Sequence, residues 1–300
     1  MRISNKLFQD QSINALLDRQ VKLSKTELQL ATGRRVLTPA DDPVSSALAL
    51  SLRETQQITE QHQLNAEAAK ARLGIEDETL AGAVNLLQRI RELAVQATSD
   101  TYSPADRQAI ALEVRERLNE LVGLANTKDA NGEYIFAGYQ GTTRPFNETA
   151  PGVFAYAGDD GQRELQIGPE RRIAVGDSGL DVFMDVQTGA GTTQDIFTTI
   201  SNFTDALNTN TQTNAVLADL DLGLENFLNT QAKIGTRLNA IDSQKEVNEG
   251  ANVQLQQTLS NLEDLDYAKA VSDLNLDLVG LEAAQQAYIR VQNLSLFNFL

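Results

Sequence analysis

The sequence contains no cysteine and no tryptophan, and His62 is the single histidine among its 300 residues. Without cysteine the chain forms no disulfide, holds no metal through thiolates and has no cysteine nucleophile. A lone histidine among Gln and Glu is expected to be an ordinary surface residue of a helix rather than a metal ligand or a general base. These absences argue against an enzyme, a metal centre and a cofactor site.

Positive charge and long apolar runs are also scarce. Lys and Arg number 25 against 41 Asp and Glu, which gives a formal net charge of -16. A chain this acidic is not expected to bind nucleic acid or an anionic membrane surface, and nothing in it indicates a small-molecule substrate. No stretch approaches the roughly 18 apolar residues of a membrane span. The first ten residues lack the apolar segment of a signal peptide, so we expect a cytoplasmic protein or one exported without a cleavable signal.

Long helices with thin apolar seams are the main feature that the sequence does show. Apolar residues at steps of three and four predict a helix over most of residues 1–40, with Gly33 as its stop. Its seam is Ile3, Leu7, Ile13, Leu16, Leu23 and Leu30. The same spacing predicts a helix in the last part of the chain, with the seam Leu274, Leu278, Leu281, Tyr288 and Leu296.

Four further helices and a β-rich segment are predicted between these ends. One helix runs over about 43–98, and a second begins at Ser103 with a capping box and Pro104 at its first position. Residues 131–191 hold 11 of the 19 glycines, three of the six prolines and seven of the 16 aromatic residues, and their short alternating runs predict a small module of β-hairpins. A capping box at Thr192 and an apolar spacing over about 213–262 predict the return of helix.

The predicted fold class is mainly α with a small inserted β module, in an elongated antiparallel helical bundle. The order along the chain gives five parts. They are an N-terminal coiled-coil arm (1–42), the first part of a helical rod (43–130), a β-rich outer module (131–191), the second part of the rod (192–254) and a C-terminal coiled-coil arm (255–300). Helices before the insert need partners among those after it, so the two arms are expected to meet.

Charge supports pairing of the two arms. Residues 1–40 carry seven basic and three acidic groups, a net charge of +4, whereas residues 255–300 carry two basic and six acidic groups, a net charge of -4. Gln, Glu and Asp interrupt both seams, so each arm is expected to be marginal alone. Most helices of this kind only pack within their own domain. The weak, oppositely charged seams near both ends favour packing that is coupled to assembly.

Two acidic motifs resemble cation sites but have simpler interpretations. Asp41 and Asp42 precede Pro43, and this order is typical of a helix N-terminus, with Asp42 as the cap, more than of a divalent-cation site. The segment 158–161 reads GDDG and lacks the ligand spacing of a calcium loop. It is expected to be a turn at the tip of a hairpin.

Several segments resemble the bacterial flagellin family. Residues 38–50 read TPADDPVSSALAL, which is similar to that family's hallmark after the first helix. The sequences MRIS at 1–4, NGEYIFAG at 131–138 and LSLFNFL at 294–300 resemble the family's subunits that join hook to filament more than its filament subunits. The resemblance covers both helical ends and the joint between helix and β module.

The resemblance implies a structural role outside the cell, at the hook–filament junction of the bacterial flagellum. The expected partners are other copies of this chain in a ring or tube layer, the first hook-associated protein on the hook side, flagellin on the filament side and a cytoplasmic export chaperone. The small β insert also fits a minimal filament flagellin. An alternative function from another class is that of a secreted effector or translocator with coiled-coil ends. A hydrolase within the β insert is a further alternative, but that segment lacks a nucleophile–base pair.

Overall fold

The computed structural model describes residues 2–99, 102–211 and 214–297. Within them lie six α-helices: α1 (Arg2–Thr32), α2 (Pro43–Ala97), α3 (Pro104–Ala125), α4 (Ile196–Asn208), α5 (Asn214–Glu263) and α6 (Tyr267–Phe297). Six short strands lie between α3 and α4: β1 (Phe146–Ala150), β2 (Val153–Tyr156), β3 (Glu164–Gln166), β4 (Arg172–Ala174), β5 (Val186–Gln187) and β6 (Thr193–Gln194). The predicted class, mainly α with a small β insert, is confirmed.

The chain packs as two compact units. Residues 1–58 and 250–300 form one, here called the end unit, and residues 59–249 form the other, the central unit. The five-part division predicted from the sequence stays a prediction. The β-rich segment and the helical segments beside it lie in the central unit.

Local sequence signals explain where several helices begin. Ser103 accepts from the Asp106 N–H while the Asp106 carboxylate accepts from the Ser103 N–H, which is the predicted capping box, and Pro104 starts α3. The capping box predicted at Thr192 is wrong. The N-cap of α4 is Asp195, whose side chain accepts from the Thr198 N–H, because the preceding residues pair as β6.

The strands form three separate antiparallel pairs, β1 with β2, β3 with β4 and β5 with β6. The segment 158–161 connects β2 to β3, which lie in different sheets, so the predicted hairpin tip is wrong. Asp159 has a different role there, because its Oδ1 accepts from the Tyr139 N–H at 2.8 Å and from the Gly161 N–H at 2.9 Å. The hydrogen bond to Tyr139 connects this acidic turn to the segment between α3 and β1.

A cluster of phenylalanine rings forms the centre of the central unit. Phe183 lies in a single π turn (Leu180–Met184) and is fully buried. Its ring centroid lies 5.1 to 5.6 Å from those of Phe136, Phe146, Phe197 and Phe227. These rings come from the β-rich segment, from α4 and from α5. A shared aromatic core therefore holds the β-rich segment against the helices.

Glu76 of α2 is a carboxyl group buried in the same unit, with 1% of its surface exposed. Its Oε1 accepts from the Asp177 N–H at 3.0 Å, and its Oε2 is buried with no hydrogen-bond partner. Burial and the charge of Asp177 raise the pKa of Glu76 to about 8. The surrounding network pairs three arginines with three other carboxylates: Arg237 with Asp177, Arg72 with Asp129 and Arg163 with Glu133. Among the carboxyl groups of this network, Glu76 is the one that forms no ion pair with an arginine, and this favours its neutral form.

One prediction for a single residue is also wrong. His62 is buried, with 7% of its surface exposed, rather than an ordinary surface residue of α2.

Among the described residues, no group of three or more His, Asp or Glu side chains is arranged to hold a metal ion. The helices that the structure describes include none with the length and apolar character of a membrane span.

Candidate assembly interface

The two terminal helices, α1 and α6, pack against each other in the end unit. They run antiparallel, because Lys22 faces Asp277 while Arg19, three residues earlier, faces Gly280, three residues later. The Lys22 Nζ lies 3.0 Å from the Asp277 Oδ1. The predicted pairing of the two ends is therefore present within one chain.

The junction of the two arms is closed by backbone contacts. Gly33 ends α1 with a φ of 69°, a left-handed conformation that glycine adopts without strain. A Cβ at this position would lie 2.7 Å from the Tyr267 hydroxyl, so a larger residue would also displace that side chain. The Gly33 carbonyl accepts from the Leu265 N–H at 3.0 Å, and the Arg35 N–H donates to the Glu263 carbonyl at 2.7 Å. These bonds fix the loop after α1 to the loop before α6.

The loop before α2 is organised by the two adjacent carboxylates of the TPADDP motif. The Asp42 Oδ1 accepts from the Ser45 N–H at 3.0 Å, which is the geometry of an N-cap with Pro43 at the first helical position. The Asp41 Oδ2 accepts from the backbone N–H groups of Leu37 and Thr38. Asp41 also pairs with Lys25 of α1.

The electrostatics of this motif agree with its geometry. The hydrogen bond to the Lys25 side chain, followed by that from the Thr38 backbone, lowers the pKa of Asp41 to about 2. The hydroxyl and backbone of Ser45 lower the pKa of Asp42. Each carboxylate is held in its charged form by donors from the protein itself, which is the arrangement of a structural cap.

A cleft of about 260 Å³ opens beside the motif, in the end unit. Apolar side chains of Leu37, Pro39 and Leu50 line it, together with Arg53 and Glu263, which form an ion pair. Leu50 is 69% exposed. The cleft contains no nucleophile–base pair, and its lining resembles a contact surface more than a reaction site.

The predicted seam residues fall into three groups. Leu16, Leu23 and Leu30 of α1 are half-buried, as are Leu274, Leu281 and Tyr288 of α6. Leu7, Ile13 and Leu278 are exposed, at 61%, 40% and 41%. The side chains of Ile3 and Leu296 lie outside the described residues. The spacing therefore marked both the face along which the arms meet and part of the face that remains open.

A second set of apolar side chains, outside the predicted seams of the two arms, is exposed on the arms and at the start of α2. Its members are Leu17, Val21, Leu28, Val44, Leu48, Val271, Leu276, Val279 and Ile289, with exposures from 47% to 78%. On α1 these residues also follow helical spacing, since steps of four and seven lead from Leu17 to Val21 and Leu28. A search for two apolar stripes instead of one would have found them.

Very few side chains are buried where the arms pair. Among the described side chains of α1 and α6, only Thr26, Ala270 and Asp277 are buried. Apolar surface on both helices thus remains in water within a single chain, which is unfavourable at about 25 cal/mol per Å². Contiguous exposed apolar surface of this kind marks an interaction site.

Comparison with known proteins agrees with this geometry. A family model described as the bacterial flagellin N-terminal helical region matches residues 3–141. Flagellar hook-associated protein 3 of Escherichia coli strain K12 is 28% identical over 316 aligned positions, which cover 99% of both chains. The chain is thus similar to proteins of the bacterial flagellin family. The segment 38–50, which caps α2 and connects the loop before α2 to α1, has a structural role in this fold.

Two further comparisons show similarity to other flagellar proteins. It is similar to flagellin FlaB2 of Treponema pallidum strain Nichols, with 23% identity over 84% of this chain and 82% of that flagellin. It shares its fold with a crystal structure of flagellar hook-associated protein-3 from Legionella pneumophila, with a TM-score of 0.68 and 23% identity. That match covers 70% of this chain and 98% of the other. Identity and coverage are both higher for the hook-associated protein of E. coli than for this flagellin.

Proposed function

We propose that this chain is a structural subunit of the flagellum that joins the hook to the filament and assembles through its terminal helices. The observation that most directly supports this proposal is that α1 and α6 pair with each other while Val21, Leu276 and Val279 remain 64% to 69% exposed. A paired arm with open apolar faces fits a subunit whose remaining partners are neighbouring subunits.

The exposed apolar surface favours assembly. Full burial of a leucine or valine side chain stabilises by about 1.5–3 kcal/mol, so a side chain that is two-thirds exposed would contribute about 1–2 kcal/mol when a neighbour covers it. Several such side chains per copy, repeated around a closed layer, offset part of the entropy that is lost when the arms become ordered. The arms would therefore become stably ordered only beside their neighbours.

Weak arms also account for the timing of assembly. The interrupted seams and the few buried side chains leave the isolated α1–α6 pair with little stabilisation of its own. A subunit of this kind stays unassembled until it meets a growing end, because folding of the arms and binding occur together. The central unit has its own aromatic core, so its folding does not depend on neighbouring subunits.

The finer assignments follow from family resemblance. In this proposal the chain is exported without a cleavable signal through the flagellar type III apparatus, and a cytoplasmic chaperone holds its C-terminal segment beforehand. It then forms a layer with its own copies outside the cell, between the first hook-associated protein and flagellin. The arms form the inner tube and the β-rich segment faces outward. The role is structural, with no catalytic step.

A minimal filament flagellin is the second candidate, favoured by the small β insert and by the similarity to FlaB2. Deletion of the gene separates the two roles. Loss of a junction subunit leaves hooks without filaments and releases flagellin into the medium, whereas loss of the filament subunit leaves no flagellin in the medium. Electron microscopy of the cells and immunoblotting of the medium measure both outcomes. Normal filaments in the deletion strain would refute both.

A further inference from the structure

Two dipeptides of this chain have the sequence that forms succinimides most readily, an Asn or Asp followed by Gly. They are Asn131–Gly132 and Asp160–Gly161, and the sequence has no other. Glycine favours the reaction because it has no side chain to hinder its backbone nitrogen and adopts many conformations. Asn131 and Asp160 are both exposed, so water and hydroxide ions reach both sites.

The reaction at Asn131 needs only the chain itself and water. The Gly132 nitrogen, after loss of its proton, attacks the Asn131 Cγ and forms a C–N bond, while the bond from Cγ to the side-chain nitrogen breaks and ammonia leaves. Water then opens the succinimide ring to aspartate or isoaspartate. Either product carries a carboxylate in place of a neutral amide, and isoaspartate also lengthens the backbone.

In the folded chain, the turn around Asn131 holds the attacking nitrogen in place. The Gly132 N–H donates to the Asp129 carbonyl at 3.0 Å. The Asp129 Oδ1 accepts from the Asn131 N–H at 2.9 Å and from the Glu133 N–H at 3.0 Å. Asp129 thus fixes three consecutive amides through its own carbonyl and carboxylate. Cyclisation requires that this turn opens first, because the Gly132 nitrogen must lose its proton and move against the Asn131 side chain.

Asp129 is itself held by contacts on both sides. Its side chain is 7% exposed and pairs with Arg72 of α2, whose guanidinium donates to the Oδ2 at 2.9 Å. The Asp129 N–H donates to the Glu133 carbonyl at 2.8 Å, which closes the base of the turn. An exposed turn opens at little cost in free energy, whereas a charge-assisted bond to a long helix raises that cost. The exposed Asn131 is therefore protected by a buried neighbour.

The second dipeptide has a comparable arrangement. The Gly161 N–H donates to the Asp159 Oδ1 at 2.9 Å, so an upstream aspartate again holds the amide that would attack. The same oxygen accepts from the Tyr139 N–H at 2.8 Å. Asp160–Gly161 lies outside the turn that Asp129 organises, and it serves as a second site at which the same chemistry can be followed independently.

We propose that Asn131 is a site of spontaneous deamidation and that Asp129 sets its rate by holding the Gly132 amide in the closed turn. Asp129 is a positioning residue in this reaction, since it acts through the geometry of the backbone. Asn131 stays intact while the turn is closed and is modified when the turn or the whole chain opens. Asp129 would act in the same way at the junction or in the filament, so the proposed function is tested separately by the deletion strain.

Incubation of the full chain at neutral pH, followed by proteolysis and mass spectrometry, measures the conversion of Asn131 with time. The denatured chain gives the rate without the turn, and the folded chain is expected to react at least about tenfold more slowly. In the native chain, slow exchange of the Gly132 N–H with deuterium, measured by NMR, is expected from the same closed turn. Equal rates at Asn131 in the folded and denatured chains would overturn the proposal.

Asp129→Ala is expected to raise the rate at Asn131 in the folded chain about tenfold, because two backbone amides lose their acceptor and Arg72 loses its partner. Asp129→Asn keeps an oxygen for the two amides and is the matched variant, with a smaller increase. Arg72→Gln leaves the turn sequence intact and weakens only its attachment to α2, so it provides the test if Asp129→Ala does not fold; it is also expected to raise the rate.

Isoaspartate at Asp160, separated by chromatography of the same peptides, is the internal control and is expected to form at an unchanged rate in these variants. An unchanged rate at Asn131 in folded Asp129→Ala, or in Arg72→Gln if the first variant does not fold, would overturn the proposal. So would an equal rise at Asn131 and Asp160, since general loosening of the central unit would then explain the effect.

Discussion

Replacement of the buried carboxyl of Glu76 by an amide, Glu76→Gln, is expected to change how the stability of the central unit depends on pH. The folded state raises the pKa of Glu76 from 4.5 to about 8, through burial and the nearby charge of Asp177, against the opposing charges of Arg237 and Arg72. Because the folded value lies above the unfolded value, the stabilising contribution of the protonated group is fully present below pH 4.5. It is lost as the pH rises through the interval up to about 8.

The structure sets the size of this effect. Each pKa unit corresponds to about 1.4 kcal/mol, so the interval from 4.5 to about 8 gives a loss of about 5 kcal/mol in the free energy of unfolding. Glutamine has the shape of the neutral acid and keeps an oxygen that can accept from the Asp177 N–H. The variant therefore matches the native protein near pH 4.5 and exceeds it by several kcal/mol above pH 8.

Chemical denaturation at a series of pH values between 4.5 and 9, followed by circular dichroism, measures the difference. Other groups titrate in both proteins, so the quantity of interest is the stability of Glu76→Gln minus that of the native protein at each pH. Glu78→Gln, on the same helix at an exposed position, is the control and should give a flat difference. A flat difference for Glu76→Gln would show that the carboxyl is ionised and satisfied in the folded state, and the reasoning from burial would be refuted.

Two further perturbations test other parts of the structure. Phe183→Ala removes the ring that contacts four other phenylalanines and is expected to lower the free energy of unfolding by about 3–5 kcal/mol in denaturant titration; a loss below about 1 kcal/mol would contradict the shared aromatic core. Asp41→Ala removes the acceptor of two backbone amides, so the N–H groups of Leu37 and Thr38 are expected to exchange faster with solvent, as measured by NMR. The Gly33 N–H, which donates to the Gln29 carbonyl, is the internal control.

Much of the helical layout could be predicted from sequence because its signals are local. Ser103 with Pro104 begins α3, Gly33 stops α1, and three-four spacing marks the long helices. Where the signal was not local, prediction failed. His62 is buried although the residues on either side of it, Gln61 and Gln63, are polar, since burial depends on packing that the local sequence does not show. The turn at 158–161 resembles a hairpin tip only until strand pairing, a non-local property, is known.

The candidate interface was predictable in part for the same reason. The seam through Leu16, Leu23 and Leu30 follows from one apolar period, but that period cannot show which face meets α6 and which stays open. Val21 belongs to a second apolar stripe that the spacing on α1 also shows, but that this stripe stays open is evident only from exposure in the folded chain. The contact between Asp277 and Lys22 joins residues 255 positions apart, which no local pattern reveals.

Assembly through the terminal helices is tested most directly by asking whether a variant of one arm still supports attachment of the filament. Leu276→Asp places a charge on the open apolar face of α6, and Gln286→Asp adds the same charge at an exposed polar position of that helix. Each variant is expressed in a strain that lacks the native chain, and filaments are counted by electron microscopy. Bare hooks and flagellin in the medium are expected with Leu276→Asp, and normal filaments with Gln286→Asp. Normal filaments with both variants, at equal amounts of exported protein, would contradict assembly through the terminal helices.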